Sequence, residues 1–219
     1  MAGKLKLVGS WVLVSVLDLE ERVETAPDGT PFRYAIDPST GLAMAPDQIH
    51  VPAGLVVAMG PDADRTLFLG ARVIIQRNLG RQFEHDGMMV QAVQTMSACP
   101  ECGTRYPSGY PAAVEGMEWE PVGRRIVVTR EEVDERHALD VLGSAARSDV
   151  RWGRMLGHQP DWALGCVPMH GDLVAYVQGE HVLEWTESGV SYASVTLPST
   201  CERCWCPLSG GAVVGWVKE

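Results

Sequence analysis

The sequence predicts an all-β protein built from two tandem small barrels, on three observations. Short runs rich in Val and Ile recur between Gly, Pro and Asp punctuation. An ordered series of segments repeats once along the chain. A Cys-x-x-Cys pair stands near the C-terminal end of each copy.

The strand runs come in two sets. The first holds Ser10–Leu17, Gly54–Met59, Ala71–Arg77 and Met88–Val93. The second holds Arg125–Arg130, Asp172–Val177, Val190–Val195 and Ala212–Val217. Their β-branching and their spacing between turn residues suit a barrel or sandwich. Only Arg130–Arg147 tolerates a helix by composition, and its periodicity is too poor to specify one.

Repetition is read from fixed spacings. Gly87 and Gly189 lie 102 residues apart, as do Cys99 and Cys201, and Cys102 and Cys204. Upstream, Gly70-Ala71-Arg72-Val73 falls on Gly171-Asp172-Leu173-Val174 at a spacing of 101. Trp11-Val12-Leu13-Val14 falls near Arg125-Ile126-Val127-Val128. The spacing drifts where loops differ in length. The organisation expected is a first barrel over residues 7–97, a knuckle and connector over 98–117, and a second barrel over 118–219 whose own knuckle is at 201–204.

Composition excludes several classes. Hydrophobic residues make up 46% of the 219, enough to bury real cores. The net charge is −10 and the longest basic feature is Arg124-Arg125, against the basic stripe a nucleic-acid binder needs. No run approaches the roughly 20 apolar residues of a spanning helix. The N-terminal stretch Met1–Leu17 alternates and runs into Asp18-Leu19-Glu20-Glu21, so it reads as a first strand and not as a targeting segment. A cytoplasmic, reducing location is expected, or a virion. There clustered thiols more often hold metal than form disulfides.

Cys99, Cys102, Cys201 and Cys204 are the strongest chemical feature. One tight turn can place the two thiolates of a Cys-x-x-Cys pair at adjacent corners of a zinc tetrahedron, and four thiolates from two pairs close the site to water and substrate. The expectation is one structural zinc clamping the repeats together. Two half-sites completed by Cys206, a histidine or a neighbouring subunit, and free or disulfide-bonded thiols, are the alternatives. Cys166, between Gly165 and Val167, reads as a buried core thiol. The six histidines are scattered, with no metalloprotease helix and no nucleophile elbow, so no catalysis is expected.

The order of motifs in each repeat resembles the GroES-type co-chaperonin family. Its opening strand of the form G-D-R-V-L-V is matched by Gly9-Ser10-Trp11-Val12-Leu13-Val14 and Gly123-Arg124-Arg125-Ile126-Val127-Val128. A loop with a small apolar cluster follows in Gly41-Leu42-Ala43-Met44-Ala45-Pro46 and Leu139-Asp140-Val141-Leu142-Gly143-Ser144. A G-x-V-x-A-x-G strand follows in Gly54–Gly60 and, more weakly, in Gly153–Gly157. G-D-x-V then opens a strand at Gly70 and Gly171, before a D-G or S-G hairpin.

The first loop, Glu20 to Pro52, is longer than the family's, the stretch after Gly60 or Gly157 is too short for its roof hairpin, and the knuckles are additions. The short roof and the knuckles favour a structural role, the loop clusters a co-chaperonin one. The resemblance implies barrels that form rings by pairing first and last strands of neighbours. Ala112–Glu115 and Ala212–Val217 are the candidate last strands. It also implies loops that dock on a chaperonin through Leu42, Ala43, Met44, Val141 and Leu142, although these residues could equally pack onto their own barrel. The expected function is a non-enzymatic, co-chaperonin-like assembly protein. The alternative is a viral capsid or tail component using the same barrel. Either would partner with copies of itself, a chaperonin or capsid proteins.

Overall fold

The computed structural model describes residues 6–16, 21–36, 43–44, 53–75, 80–132, 150–156, 168–179, 182–209 and 211–218. The chain is all-β: these residues contain strands and turns and no helix. Among them no helix is long and apolar enough to cross a membrane.

The first half contributes β1 (Trp11–Val16), β2 (Glu21–Thr25), β3 (Pro31–Ile36), β4 (Ala43–Met44), β5 (Ala53–Met59) and β6 (Arg72–Ile74). It continues with β7 (Arg81–His85), β8 (Met88–Gln94), β9 (Met96–Ala98), β10 (Arg105–Pro107), β11 (Ala113–Glu115) and β12 (Trp119–Pro121). The second half contributes β13 (Arg125–Glu131), β14 (Val150–Leu156), β15 (Leu173–Val177) and β16 (Val182–Glu187). Then come β17 (Val190–Thr196), β18 (Ser199–Thr200), β19 (Pro207–Ser209) and β20 (Val213–Val217).

Two large antiparallel sheets repeat one topology. The first runs β12-β11-β6-β5-β1-β8-β7 and the second β16-β17-β13-β14-β15-β20. Read from opposite ends, β7, β8, β1, β5, β6 and β11 match β16, β17, β13, β14, β15 and β20 in order. The register repeats too: Trp11 pairs with Gln94 and Val12 with Val93, while Arg125 pairs with Thr196 and Ile126 with Val195. Because a slip of one residue would turn every side chain to the other face, identical register means identical inward sets. The cores agree. Val12, Val14, Val56, Val73, Ile75 and Val93 are buried in the first, and Ile126, Val128, Met155, Val174, Tyr176 and Val195 hold the matching places in the second.

The turns are copied as well. Asp86-Gly87 and Ser188-Gly189 both have positive φ at both positions, the type I′ geometry that joins twisted strands tightly. Gly70 donates its N–H to the Val56 carbonyl as Gly171 donates to that of Met155, each at 2.8–2.9 Å. A Cβ on Gly54 would collide with Val14 and the Ser15 carbonyl; one on Gly153 would collide with Val128 and the Thr129 carbonyl. Backbone is the obstacle at both, so alanine must displace a strand. Gly153→Ala is therefore expected to destabilise the protein by about 2 kcal/mol, read as a lower denaturant midpoint with an unchanged slope. A change under about 0.5 kcal/mol would contradict this packing.

Two further features matter. β11 and β12 belong to the first sheet, so that sheet draws on residues beyond the span 7–97. Within the long segment between Glu20 and Pro52, β2, β3 and β4 form a separate three-stranded sheet. Its hairpin turns at Asp28-Gly29, where Gly29 has φ +84° and the Asp28 carboxylate accepts the Thr30 N–H at 2.9 Å. Val23, Phe32 and Ile36 of this sheet are exposed.

The halves meet through a mixed cluster. Ala53, Ile74, Ala112, Ala113 and Trp119 from the first side pack with Val127 and Trp185 from the second. Trp119 lies edge-on to Trp185 at 5.4 Å between ring centroids, and Trp185 stacks on Tyr192 at the same distance. Trp119 Nε1 donates to Glu187 Oε2 at 3.0 Å, and Arg72 pairs with Glu187. Beneath them the buried Arg125 donates to the Ser194 hydroxyl and carbonyl, both at 2.8 Å, while Ser194 Oγ donates to the Ala112 carbonyl at 2.9 Å. Arg125, Ser194 and the Ala112 carbonyl are thus hydrogen-bonded in one chain across the seam, as burial favours.

Candidate metal centre

Each knuckle is the tip of a short hairpin. β9 and β10 pair with one another and carry Cys99 and Cys102 between them; β18 and β19 carry Cys201, Cys204 and Cys206. The turns have one geometry. Cys99 N–H donates to the Thr104 carbonyl at 2.8 Å and Cys201 N–H to the Cys206 carbonyl at 2.9 Å. Gly103 N–H returns to the Cys99 carbonyl, and Trp205 N–H to that of Cys201, both at 2.9 Å. The residue after each second cysteine must take positive φ: Gly103 does so freely at +70°, whereas Trp205 does so at +60° despite its side chain.

The two tips converge. The sulfurs of Cys99, Cys102, Cys201 and Cys204 all lie within 4.8 Å of one another. Each first cysteine faces the second cysteine of the other knuckle, with Cys99 Sγ 3.5 Å from Cys204 Sγ and Cys102 Sγ 3.5 Å from Cys201 Sγ. Zn–S bonds near 2.3 Å in a tetrahedron separate the sulfurs by about 3.8 Å, so the spacing suits a four-thiolate metal site. Cys99 and Cys201 are each 2% exposed and Cys204 is open to solvent.

The turns also prepare two of the sulfurs as anions. Burial pushes the Cys99 thiol up, but N–H groups of Cys102 and Glu101, with the thiols of Cys206 and Cys204, outweigh it and draw the group down to about 6. Cys201 is lowered by the matching N–H groups of Cys204 and Arg203. Cys204 is held well above the usual thiol range: the Cys206 N–H lowers it, but hydrogen bonds with the Cys206, Cys99 and Cys201 sulfurs, and burial, prevail. The deprotonated form is the metal ligand, so the two inner sulfurs are the ones readied for it.

The four cysteines singled out by spacing are thus brought together in one cluster. A fifth, Cys206, stands at its edge, 3.2 Å from Cys99 Sγ and 3.3 Å from Cys204 Sγ. Its signal in the sequence is the run Cys204-Trp205-Cys206, which extends the second motif but not the first. Cys166 lies outside the described residues, as do Leu42, Val141 and Leu142 of the apolar loop clusters. Ala43 and Met44 are in β4, hydrogen-bonded along β3.

Together, fold and cluster define an all-β protein of two like units whose thiol-bearing hairpins meet at one metal-competent centre. Comparison with known proteins adds no family: no family model matches the chain, and no curated protein matches it.

Proposed function

We propose that the chain is a non-enzymatic assembly protein of the co-chaperonin kind, made of two GroES-like units that one structural zinc on Cys99, Cys102, Cys201 and Cys204 clasps together. The observation that carries this reading is the duplication itself. Sheet order, register, core positions and knuckle turns recur in both halves, and the repeated sulfurs meet at one point. A closed four-thiolate site offers no position for substrate, so its work is cross-linking.

The three-stranded sheet between β1 and β5 supports a docking role. It occupies the place where the resembled family carries its partner-binding loop, and it presents Val23, Phe32 and Ile36 outward. A three-stranded sheet with exposed apolar side chains gains stability when another surface covers it. β7 and β16 are the outermost strands of the two large sheets at matching positions, and open edges favour pairing between copies.

The test is capture by a purified chaperonin in the presence of nucleotide, run beside light scattering of the protein alone. Nucleotide-dependent capture, abolished by deleting residues 21–44, is expected. Stable self-assembly with no capture would overturn the co-chaperonin reading and favour a capsid or tail building block. A monomer that captures nothing would overturn both.

A further inference from the structure

We infer that Cys206 is a second, interchangeable fourth ligand for the metal, able to take over from Cys204. The inference rests on the zinc clasp proposed above and concerns how that clasp withstands damage.

The two knuckles differ at the place that faces the second cysteine's sulfur. In the first turn, the residue two beyond the second cysteine is Thr104, and Cys102 Sγ donates to its hydroxyl at 3.2 Å. In the second turn that same place is held by Cys206, whose sulfur lies 3.3 Å from Cys204 Sγ. The backbone is alike, since Cys99 and Cys201 bond the carbonyls of these two residues in the same way. So the copied turn aims this side chain at the second cysteine's sulfur in both knuckles. A hydroxyl there can only support a ligand by hydrogen bonding, whereas a thiolate can itself bind zinc.

Geometry makes the exchange short. Cys99, Cys204 and Cys206 form a nearly equilateral triangle of sulfurs, with edges of 3.5, 3.2 and 3.3 Å. A metal bound to Cys99, Cys102 and Cys201 would therefore find either Cys204 or Cys206 within a small shift of the second hairpin. Exposure gives the exchange a purpose. Cys204 is exposed and Cys206 is partly covered, so the ligand open to alkylation or oxidation has a sheltered substitute. In the first knuckle the matching place is held by Thr104, which offers no thiolate.

Cobalt(II) titration of the full chain tests this, because the thiolate-to-cobalt absorption reports how many sulfurs bind. The parent, Cys204→Ser and Cys206→Ser are each expected to bind about one cobalt with a four-thiolate spectrum, at affinities within about tenfold of one another. Cys204→Ser/Cys206→Ser should fall to a three-thiolate spectrum and bind at least about a hundredfold more weakly.

A three-thiolate spectrum for Cys204→Ser alone would overturn the inference. So would failure of Cys204→Ser to fold while Cys206→Ser folds, because a working substitute would have rescued it. A parent that binds no cobalt would instead refute the clasp itself.

Discussion

Cys99→Ser is expected to release the metal and lower stability by about 4 kcal/mol, with the thermal midpoint falling by about 8–16 °C. Cys99 is 2% exposed and its sulfur lies against those of both Cys204 and Cys206, so its loss removes the buried ligand on which the second knuckle closes. The estimate treats the metal as a cross-link. Joining residues about 100 apart removes loop-closure entropy from the unfolded chain worth roughly 4–5 kcal/mol. Each sheet keeps its own core, so the loss should stay below the roughly 10–16 kcal/mol that zinc supplies to fingers unfolded without it. Strong chelation of the parent should give the same shift, and chelator should do nothing further to Cys99→Ser. Equal melting of parent and variant in metal-replete buffer would show that no metal cross-link exists.

Trp185→Ala should cost about 4 kcal/mol, at the upper end for a single core change. Trp185 is 5% exposed and sits between Trp119 of the first half and Tyr192 of its own sheet. Truncation opens a large cavity and removes two aromatic contacts, each worth about 0.5–1.5 kcal/mol beyond area. A double-mutant cycle with Trp119→Ala separates docking from folding: a coupling of about 1 kcal/mol or more is expected across the edge-to-face contact. If Trp185→Ala costs under about 1 kcal/mol in denaturant unfolding, the tryptophans do not hold the halves together.

What the sequence made legible was the part governed by period and spacing. Short Val- and Ile-rich runs bounded by turn residues marked β1, β5, β8, β13, β15, β17 and β20, and β13 and β15 bury four consecutive residues each. The type I′ dipeptides Asp86-Gly87 and Ser188-Gly189 marked the matching hairpins, and the fixed spacing of the four cysteines marked the cluster.

The sheet of β2, β3 and β4 was less legible. Arg22–Thr25 and Phe32–Tyr34 alternate around an Asp-Gly turn, but charges fill one place in two and the strands read as loop. β11 and β12 are three residues each, too short to show a period. The meeting of Trp119 with Trp185, and of Cys206 with Cys99, depends on how two units dock, and no local pattern encodes that.

X-ray absorption at the zinc edge of the purified protein tests the central claim most directly. Two copied hairpins converging on one ion predict about one zinc per chain, bound by four sulfurs at about 2.3 Å. A protein without zinc, or a zinc shell of mixed sulfur and nitrogen or oxygen, would contradict it.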